Sequence, residues 1–272
     1  MNSSQIITGE KIQQLANVYL GERNDFHYNP LISRETHKHK LISDILGAYD
    51  NPPMVFFYTH NIKKIASIVH FFKNPFILLS HNSDWNIVES VDSMTILECP
   101  LLKMWYTQNL CFSHPKISMI PIGFANSMWP HGNLSLFDND IFLSDLLNKT
   151  KKIYFNFNIN TNAKIRQPCY DTISKKVPWL HVLPPKDNLL RLKEYEFCIC
   201  PEGNGADCHR FWEALYLKCV PIVIKSPFIE TLKRHKIPLV ILDRWEDLDI
   251  TKLQYSIYNF DNYTIDMFIR KT

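Results

Sequence analysis

The stretch Phe197-Cys-Ile-Cys-Pro-Glu-Gly-Asn-Gly-Ala-Asp-Cys-His-Arg-Phe-Trp-Glu-Ala-Leu-Tyr-Leu-Lys-Cys-Val-Pro-Ile-Val-Ile224 decides the fold. The apolar run 197–200 predicts a short strand, and Gly203-Asn204-Gly205 predicts a flexible loop. Residues 209–217 contain neither Gly nor Pro, which favours a helix. Residues 220–224 are apolar throughout, as is typical of a buried parallel strand. The stretch therefore predicts one repeating unit of a parallel α/β sheet.

The start of the predicted helix has the features of an anion site. The N–H groups of a glycine loop and the positive end of a helix dipole point at one spot. A cation in the first helical turn opposes that dipole unless an anion lies between them, and this helix begins with two such residues. The residues predicted to contact the anion or the group attached to it are Glu202, Gly203, Asn204, Gly205, His209 and Arg210. For Glu202, a solvated loop acid is the alternative.

Glu213 lies one turn after Arg210 on a helix that is otherwise apolar nearly all round. A carboxylate on such a buried helix needs a partner. One candidate is Arg210, in a structural ion pair. The other is a pair of sugar hydroxyls, such as a ribose diol, and the glycine loop in front favours this second interpretation.

This segment resembles the exostosin-like glycosyltransferase family, whose C-terminal half carries C-P-x-G-x-x-x-x-x-x-R-x-x-E-A-L-x-x-G-x-x-P-V. The matching residues here are Cys200-Pro201-Glu202-Gly203, Arg210, Glu213-Ala214-Leu215 and Pro221-Ile222-Val223. The resemblance covers residues 195–240 and is weaker elsewhere. One departure is Lys218, which stands where the family usually has Gly.

The resemblance implies the GT-B architecture: two Rossmann-like domains whose parallel sheets face a cleft, here in a compact version. It implies a nucleotide-sugar donor on the C-terminal domain, with Arg210 at the diphosphate and Glu213 at the ribose. We place the N-terminal, acceptor-side domain at 1–140 and the donor domain at 151–272. The alternative layout is a single doubly wound domain with a decorated N-terminus.

Composition favours a folded protein and gives no sign of nucleic-acid binding. Of 272 residues, 46% are hydrophobic and 13% aromatic, enough for a substantial core. The net charge is only +3. No apolar run of about 18 residues predicts a membrane span, and the first residues lack a signal-peptide pattern. The expectation is a cytoplasmic protein.

No metal or other cofactor is expected. The seven cysteines include no C-x-x-C pair. Asp138-Asn-Asp140 has the spacing of a metal-binding D-x-D motif but lies in the presumed linker. Cationic side chains and backbone amides can neutralise a leaving diphosphate instead.

Apolar segments alternate between strand and helix patterns along the chain. In the first half we predict strands at 54–58, 76–79, 105–110 and 116–121 and helices at 12–20, 61–72 and 99–105. In the second half we predict further strands at 153–157, 179–183 and 238–242 and helices at 164–176, 188–195 and 228–236.

The segment Asn156-Phe-Asn-Ile-Asn-Thr-Asn-Ala-Lys-Ile-Arg166 follows a predicted strand, where ligands of parallel sheets bind. Lys164 and Arg166 are predicted to meet phosphates there, with Arg166 favoured. The alternative is a turn and helix cap in which the polar residues bind only backbone.

Two loops of the first half carry further candidates. Asp84 and His81 follow the strand at 76–79, and an inverting transferase needs one base at the acceptor hydroxyl. Alternatively, Asp84 caps the next helix. The predicted acceptor contacts are Asn126, Trp129 and His60, with His131 beside them and His60 also a weaker candidate base. The alternative for Trp129 is a place in a core.

The pattern and the resemblance together predict an inverting glycosyltransferase. Its donor would be a UDP-sugar of the UDP-xylose, UDP-hexose or UDP-glucuronate type, and its acceptor a glycan or glycoconjugate. Two alternatives stay open. One is a fucosyltransferase-like enzyme that uses a GDP-sugar, and the other is a nucleotide- or sugar-binding protein without turnover.

Overall fold

A computed structural model describes residues 2–20, 47, 49–139 and 143–269. The chain divides into two compact units. The N-terminal unit contains Ile7–Ile122 and Ile265–Thr272, and the C-terminal unit contains Met1–Ile6 and Gly123–Thr264. This division differs from the predicted boundaries of 1–140 and 151–272. The reason is aromatic packing: the ring of Phe137 lies 5.3 Å from Phe124 and 6.1 Å from Tyr216, deep in the C-terminal unit.

The N-terminal unit contains a five-stranded parallel sheet. Its strands lie in the order of the sequence, and their bounds are β1 Val18–Tyr19, β2 Met54–Tyr58, β3 Phe76–His81, β4 Leu102–Thr107 and β5 Ile117–Met119. The predicted strand at 54–58 is confirmed at both ends. The predicted strands at 76–79, 105–110 and 116–121 are also present, with shifted bounds.

The helices of this unit differ from the prediction at two places. Only residues 12–14 of the helix predicted at 12–20 are in a helix, because Val18–Tyr19 form strand β1 and pair with β2. The helices are α1 Gly9–Gln14, α2 Ile62–Ile68, α3 Val91–Glu98 and a last short helix, Ile265–Phe268. The predicted helix at 99–105 is wrong, because its second half is paired in β4. The helix lies earlier, where Ser90 and Ser93 form a capping box: the Ser93 N–H donates to Ser90 Oγ at 3.3 Å and the Ser90 N–H donates to Ser93 Oγ at 2.9 Å.

The C-terminal unit contains a four-stranded parallel sheet, again in sequence order. Its strands are β6 Lys151–Tyr154, β7 Tyr195–Ile199, β8 Val220–Ile224 and β9 Val240–Leu242. Its helices are α4 Ala163–Ile173, α5 Pro185–Leu192, α6 His209–Tyr216 and α7 Pro227–Leu232. No helix in the described parts of either unit has the length and apolarity needed to cross a bilayer.

Helices pack on both faces of this second sheet. Ile153 and Phe197 point to one face and join Cys169 of α4 in a single apolar cluster. Tyr154 points the other way, because side chains alternate along a strand. On that face the guanidinium of Arg210, from α6, lies 5.3 Å from the Tyr154 ring. The expected parallel sheet with two helical layers is therefore confirmed for this unit.

The predicted strand at 179–183 is wrong, although the segment does lie beside the sheet. Leu180 N–H donates to Phe155 O at 3.0 Å, and the Asn156 side chain donates to Leu180 O at 2.6 Å. Prolines before and after the segment lack the N–H groups that a longer ladder needs. Because β7 occupies one edge of β6, we infer that this segment lies along the other. Chain order then reverses between β6 and β7, which is where ligands of open α/β sheets bind.

Helix α6 ends in a Schellman motif. Lys218 N–H donates to Leu215 O at 3.0 Å, Cys219 N–H donates to Ala214 O at 2.8 Å, and Lys218 has a φ of 56°. This left-handed conformation explains why glycine is the usual residue here in the family that the segment resembles. Lys218 replaces glycine and gains a contact instead, since its Nζ donates to Asp261 O at 3.0 Å.

Candidate functional site

The decisive stretch folds as its sequence predicts. Strand β7 leads through residues 201–208, here called the glycine loop, into α6, and β8 follows. The N-cap residue Cys208 makes no side-chain cap, so its side chain leaves the first N–H groups of the helix to other partners. Gly203 packs beside Arg166: a Cβ there would lie 3.4 Å from Arg166 Nη2 and 3.6 Å from Cys208 Cβ, which are ordinary contact distances, so the available space does not by itself require glycine.

Arg166 binds the glycine loop. Its Nε donates to Glu202 O at 2.9 Å and its Nη1 donates to Asn158 O at 2.8 Å. Beside it, the Asn162 side chain donates to Gly203 O at 2.7 Å. Arg166 is 8% exposed, and no carboxylate of the described residues lies within ion-pair distance. These contacts support the backbone-binding alternative for this segment rather than the predicted phosphate contact.

Burial lowers the pKa of Arg166, and the positive charge of Arg210 lowers it further. Two guanidinium groups therefore lie close enough to repel each other at the carboxyl ends of β6 and β7. Of these two arginines, only Arg210 has a carboxylate of the described residues within ion-pair distance. Because Glu213 and two acids of the glycine loop, Glu202 and Asp207, lie at the same end of the sheet, net charge alone does not select an anionic ligand there.

Arg210 is held by three groups. Its Nε donates to Glu213 Oε2 at 2.9 Å, its Nη1 donates to Asn156 O at 2.8 Å, and its plane lies over Tyr154. Burial opposes its charge, but the Glu213 carboxylate outweighs burial and holds the pKa of the guanidinium above its ordinary value. Nη2 makes no hydrogen bond within the described residues and is not among the buried unsatisfied atoms.

Glu213 likewise keeps one oxygen available. Oε2 accepts from Arg210, whereas Oε1 has no partner within the described ranges and is not buried away from solvent. The side chain is 10% exposed. The structure contains the ion pair, which is one of the two alternatives for Glu213, and this pair leaves an acceptor beside a donor; the contact with a ribose diol stays a prediction.

Both residues line a cavity of about 230 Å³. Its walls combine polar groups with apolar side chains from the segment that precedes α5. The other lining residues that matter here are His131, Asn156, Asn158, Val182, Leu183, Asn188 and Leu189. A guanidinium, a carboxylate, amide groups and an apolar wall together suit a ligand that carries an anion, hydroxyls and a flat apolar ring.

Tyr154 supports this cavity from below, which the sequence analysis missed. Its hydroxyl donates to Asn188 Oδ1, and its ring lies under Arg210 and, at 5.7 Å, under Arg191. Arg191 in turn donates to His181 O, next to the apolar wall. Burial raises the pKa of Tyr154 and keeps it neutral. The alternation of β6 is the signal that could have found it, because Tyr154 must point away from the core side.

His209 binds the loop that follows β5. Its Nδ1 donates to Gly123 O at 2.9 Å, and its ring lies 6.1 Å from His131, which lines the cavity. Gly123 has a φ of 67°, so the turn requires glycine. His209 thus has a structural role, and its predicted contact with the donor stays a prediction.

Asn126 and Trp129 lie in the same loop. Trp129 N–H donates to Asn126 O at 3.0 Å, and a Cβ at Gly132 would lie only 2.0 Å from that oxygen, so the turn closes only with glycine. Trp129 is 52% exposed and stacks on His131 at 6.4 Å. The alternative that placed Trp129 in a core is wrong, and its indole face is available to a ligand.

Of the nine predicted donor residues, only Arg210 and Glu213 line this cavity. Lys164 and Asn204 are exposed. Glu202 lines a different, larger cavity, and burial raises the pKa of its carboxyl group. Gly205 is buried, and its carbonyl accepts from Gly203 N–H at 3.1 Å.

The two predicted catalytic bases differ in burial within the N-terminal unit. His81 is 1% exposed, its Nε2 donates to Pro121 O at 2.9 Å and its Nδ1 lies 3.1 Å from Asn82 Oδ1. It is an interior histidine, so the prediction of a catalytic base there is wrong. Asp84 is exposed just beyond β3. The capping alternative for Asp84 is also wrong, because Ser90 caps α3.

His60 is exposed, and its Nδ1 lies 3.4 Å from Ser83 Oγ while its ring stacks on Tyr58 at 5.6 Å. No group of three or more His, Cys, Asp or Glu side chains is arranged to hold a metal in the part of the chain that the structure describes. Asp140, the second acid of the D-x-D spacing, lies outside that part.

Neither protein-family models nor curated protein sequences match this chain. Support for a function therefore comes from the residues and geometry of the cavity around Arg210 and Glu213.

We expect Arg166→Met to lower the free energy of unfolding by about 1–3 kcal/mol, because Glu202 O and Asn158 O lose a charged donor at partly buried positions. The matched control is Lys164→Met on the same helix, which is exposed and should change stability by less than about 0.5 kcal/mol. Urea unfolding followed by circular dichroism measures both. Equal stability of the two variants would contradict the proposed binding of the loop by Arg166.

Proposed function

We propose that this protein is an inverting glycosyltransferase of the GT-B architecture that uses a UDP-sugar as donor. The observation that carries the proposal is the pair Arg210 and Glu213 at the start of α6, each with one polar atom left for a ligand. Two parallel α/β sheets in two units are consistent with that architecture. The resemblance of residues 195–240 to exostosin-like transferases agrees with it.

The diphosphate is assigned to Arg210. A guanidinium donates strong, charge-assisted hydrogen bonds to phosphate oxygens. Arg210 lies in the first turn of α6, whose dipole adds to the attraction. Arg166 is assigned long-range positive charge only, since its Nε and Nη1 donate to backbone carbonyls and the residue does not line the cavity that contains Arg210 and Glu213.

The ribose is assigned to Glu213. Its carboxylate lies directly beside the proposed phosphate site, since Oε2 is 2.9 Å from Arg210 Nε. Its Oε1 can accept from a hydroxyl of the ribose diol while Oε2 stays bonded to Arg210.

The nucleobase of the donor is assigned to the apolar wall formed by Val182, Leu183 and Leu189. UDP is the first candidate and GDP the alternative, because an open cavity of about 230 Å³ does not by itself distinguish a pyrimidine from a purine. The transfer assay described below identifies the sugar bound to the diphosphate. It distinguishes xylose, a hexose and glucuronate.

The catalytic base, which would take the proton from the acceptor hydroxyl, is assigned to Asp84. It is exposed beyond the carboxyl end of β3, beside Trp85, which is 54% exposed and offers an indole face to a sugar. With His81 engaged in the interior, His60 is the remaining alternative. The second candidate function is nucleotide-sugar binding without turnover, and the engagement of His81 is the observation that favours it.

Arg210→Gln should weaken UDP binding by an order of magnitude or more, because a charge-assisted phosphate contact is lost. Titration calorimetry measures the affinity, with Arg244→Gln as the control, an exposed arginine of the same unit that is paired with Asp247. If Arg210→Gln bound UDP as the wild type does, the phosphate site would be misassigned. Tighter binding of GDP than UDP would select the GDP-sugar alternative.

If Glu213 binds the ribose, the losses of affinity caused by changing Glu213 and by removing a ribose hydroxyl should not add up. Wild type should bind 2′-deoxy-UDP or 3′-deoxy-UDP about tenfold more weakly than UDP, since a hydrogen bond to a charged group is worth about 1.5–3 kcal/mol. In Glu213→Gln this penalty should shrink, as expected when both changes remove the same contact. Circular dichroism checks that the variant folds. An unchanged penalty would assign Glu213 to the ion pair alone.

Asp84→Asn should leave UDP affinity unchanged and lower transfer by about 10²–10⁴, the usual contribution of a positioned base. UDP release from a panel of UDP-sugars, with and without glycan acceptors, measures turnover. Glu89→Gln, an exposed acid of the same region, is the control. Loss of activity in His60→Ala but not in Asp84→Asn would move the base to His60. A wild type that binds UDP and releases none from any UDP-sugar would favour the binding protein.

A further inference from the structure

A second cavity of about 410 Å³ lies in the C-terminal unit. It is enclosed by α4, the glycine loop, the end of β8 and the start of α7. It shares no lining residue with the cavity that contains Arg210 and Glu213. The two cavities are therefore distinct places of the same unit.

The walls of this second cavity are aromatic and aliphatic. Phe211, Phe228 and Trp245 contribute rings, and Pro201 and Ile229 contribute aliphatic surface. Three rings around one cavity favour a flat, apolar ligand, because aromatic faces stack with offset or edge-on geometry. Its volume lies in the range of cavities that bind small organic molecules.

Two acids of the glycine loop, Glu202 and Asp207, lie in this wall. Asp207 Oδ1 accepts from Trp212 Nε1 at 2.8 Å, whereas the carboxyl of Glu202 lies beside Ser226, and burial raises its pKa. No cation of the described residues forms an ion pair with Glu202: Arg244 on the same cavity is paired with Asp247, and Lys225 forms no ion pair. A carboxyl group in apolar surroundings gains most from a ligand that brings its own donor.

We propose that this cavity is a second ligand site, for a planar aromatic molecule whose amine or other N–H group donates to Glu202. The rings of Phe211, Phe228 and Trp245 hold the body of the ligand, and Glu202 selects its polar end. The proposal does not rest on the glycosyltransferase function, because none of the nucleotide contacts lies in this cavity.

Three indole compounds of similar size test it: tryptamine, a cation; tryptophol, uncharged; and indole-3-acetate, an anion. Calorimetry on the full chain should show tryptamine binding most tightly and indole-3-acetate least. Glu202→Gln should weaken tryptamine at least fivefold and leave tryptophol unchanged. The control Glu246→Gln removes an exposed acid of the same cavity and should leave both affinities unchanged.

A steric variant locates the binding. Thr172→Trp should fill the cavity from α4 and abolish binding of tryptamine and tryptophol, and Ile165→Trp serves the same purpose if the first variant does not fold. Saturating UDP should not displace tryptamine. Absence of tryptamine binding to wild type, equal affinity for tryptamine and indole-3-acetate, or binding that survives the filled cavity would each overturn the proposal, whatever the outcome with UDP.

Discussion

The buried guanidinium of Arg166 is the interaction on which the ligand-binding end of the C-terminal unit depends. It joins the carbonyl of Asn158, which follows β6, to that of Glu202, which follows β7. These carbonyls are far apart in the sequence, and the chain between them does not by itself bring them together. A neutral side chain would leave both acceptors without this donor at partly buried positions. The position of the glycine loop, and with it one wall of the larger cavity, follows from this one residue.

Where local pattern decides structure, the sequence predicted the fold well. Strands β2 and β8 were predicted to the residue, because uninterrupted apolar runs bounded by polar residues leave no alternative. The helix predicted at 99–105 failed because that segment becomes a strand through its neighbours β3 and β5, which no local pattern encodes. The strand predicted at 179–183 is absent for the opposite reason. Its residues suit a strand, but the flanking prolines leave the segment one backbone hydrogen bond to the sheet side, from Leu180 to Phe155.

The candidate site was predictable in part for the same reason. The spacing of Arg210 and Glu213 placed them on one helical face, and the structure joins them. Helical spacing could not tell that Arg166, at the same end of the sheet, turns towards backbone carbonyls. Nor could it tell that Glu202 enters a separate cavity, or that Tyr154 lies beneath Arg210. Such facts depend on which side chains meet across the sheet.

An ion pair on a buried helix is by itself weak evidence for function, because structural pairs are common and partly offset their own desolvation. The details of this pair favour a ligand. A single hydrogen bond joins Arg210 to Glu213, although a guanidinium facing a carboxylate can make two. The Asn156 carbonyl and the Tyr154 ring hold the guanidinium independently of the acid. Arg210 and Glu213 thus each keep a polar atom beside the same cavity, an arrangement that a purely structural pair does not require.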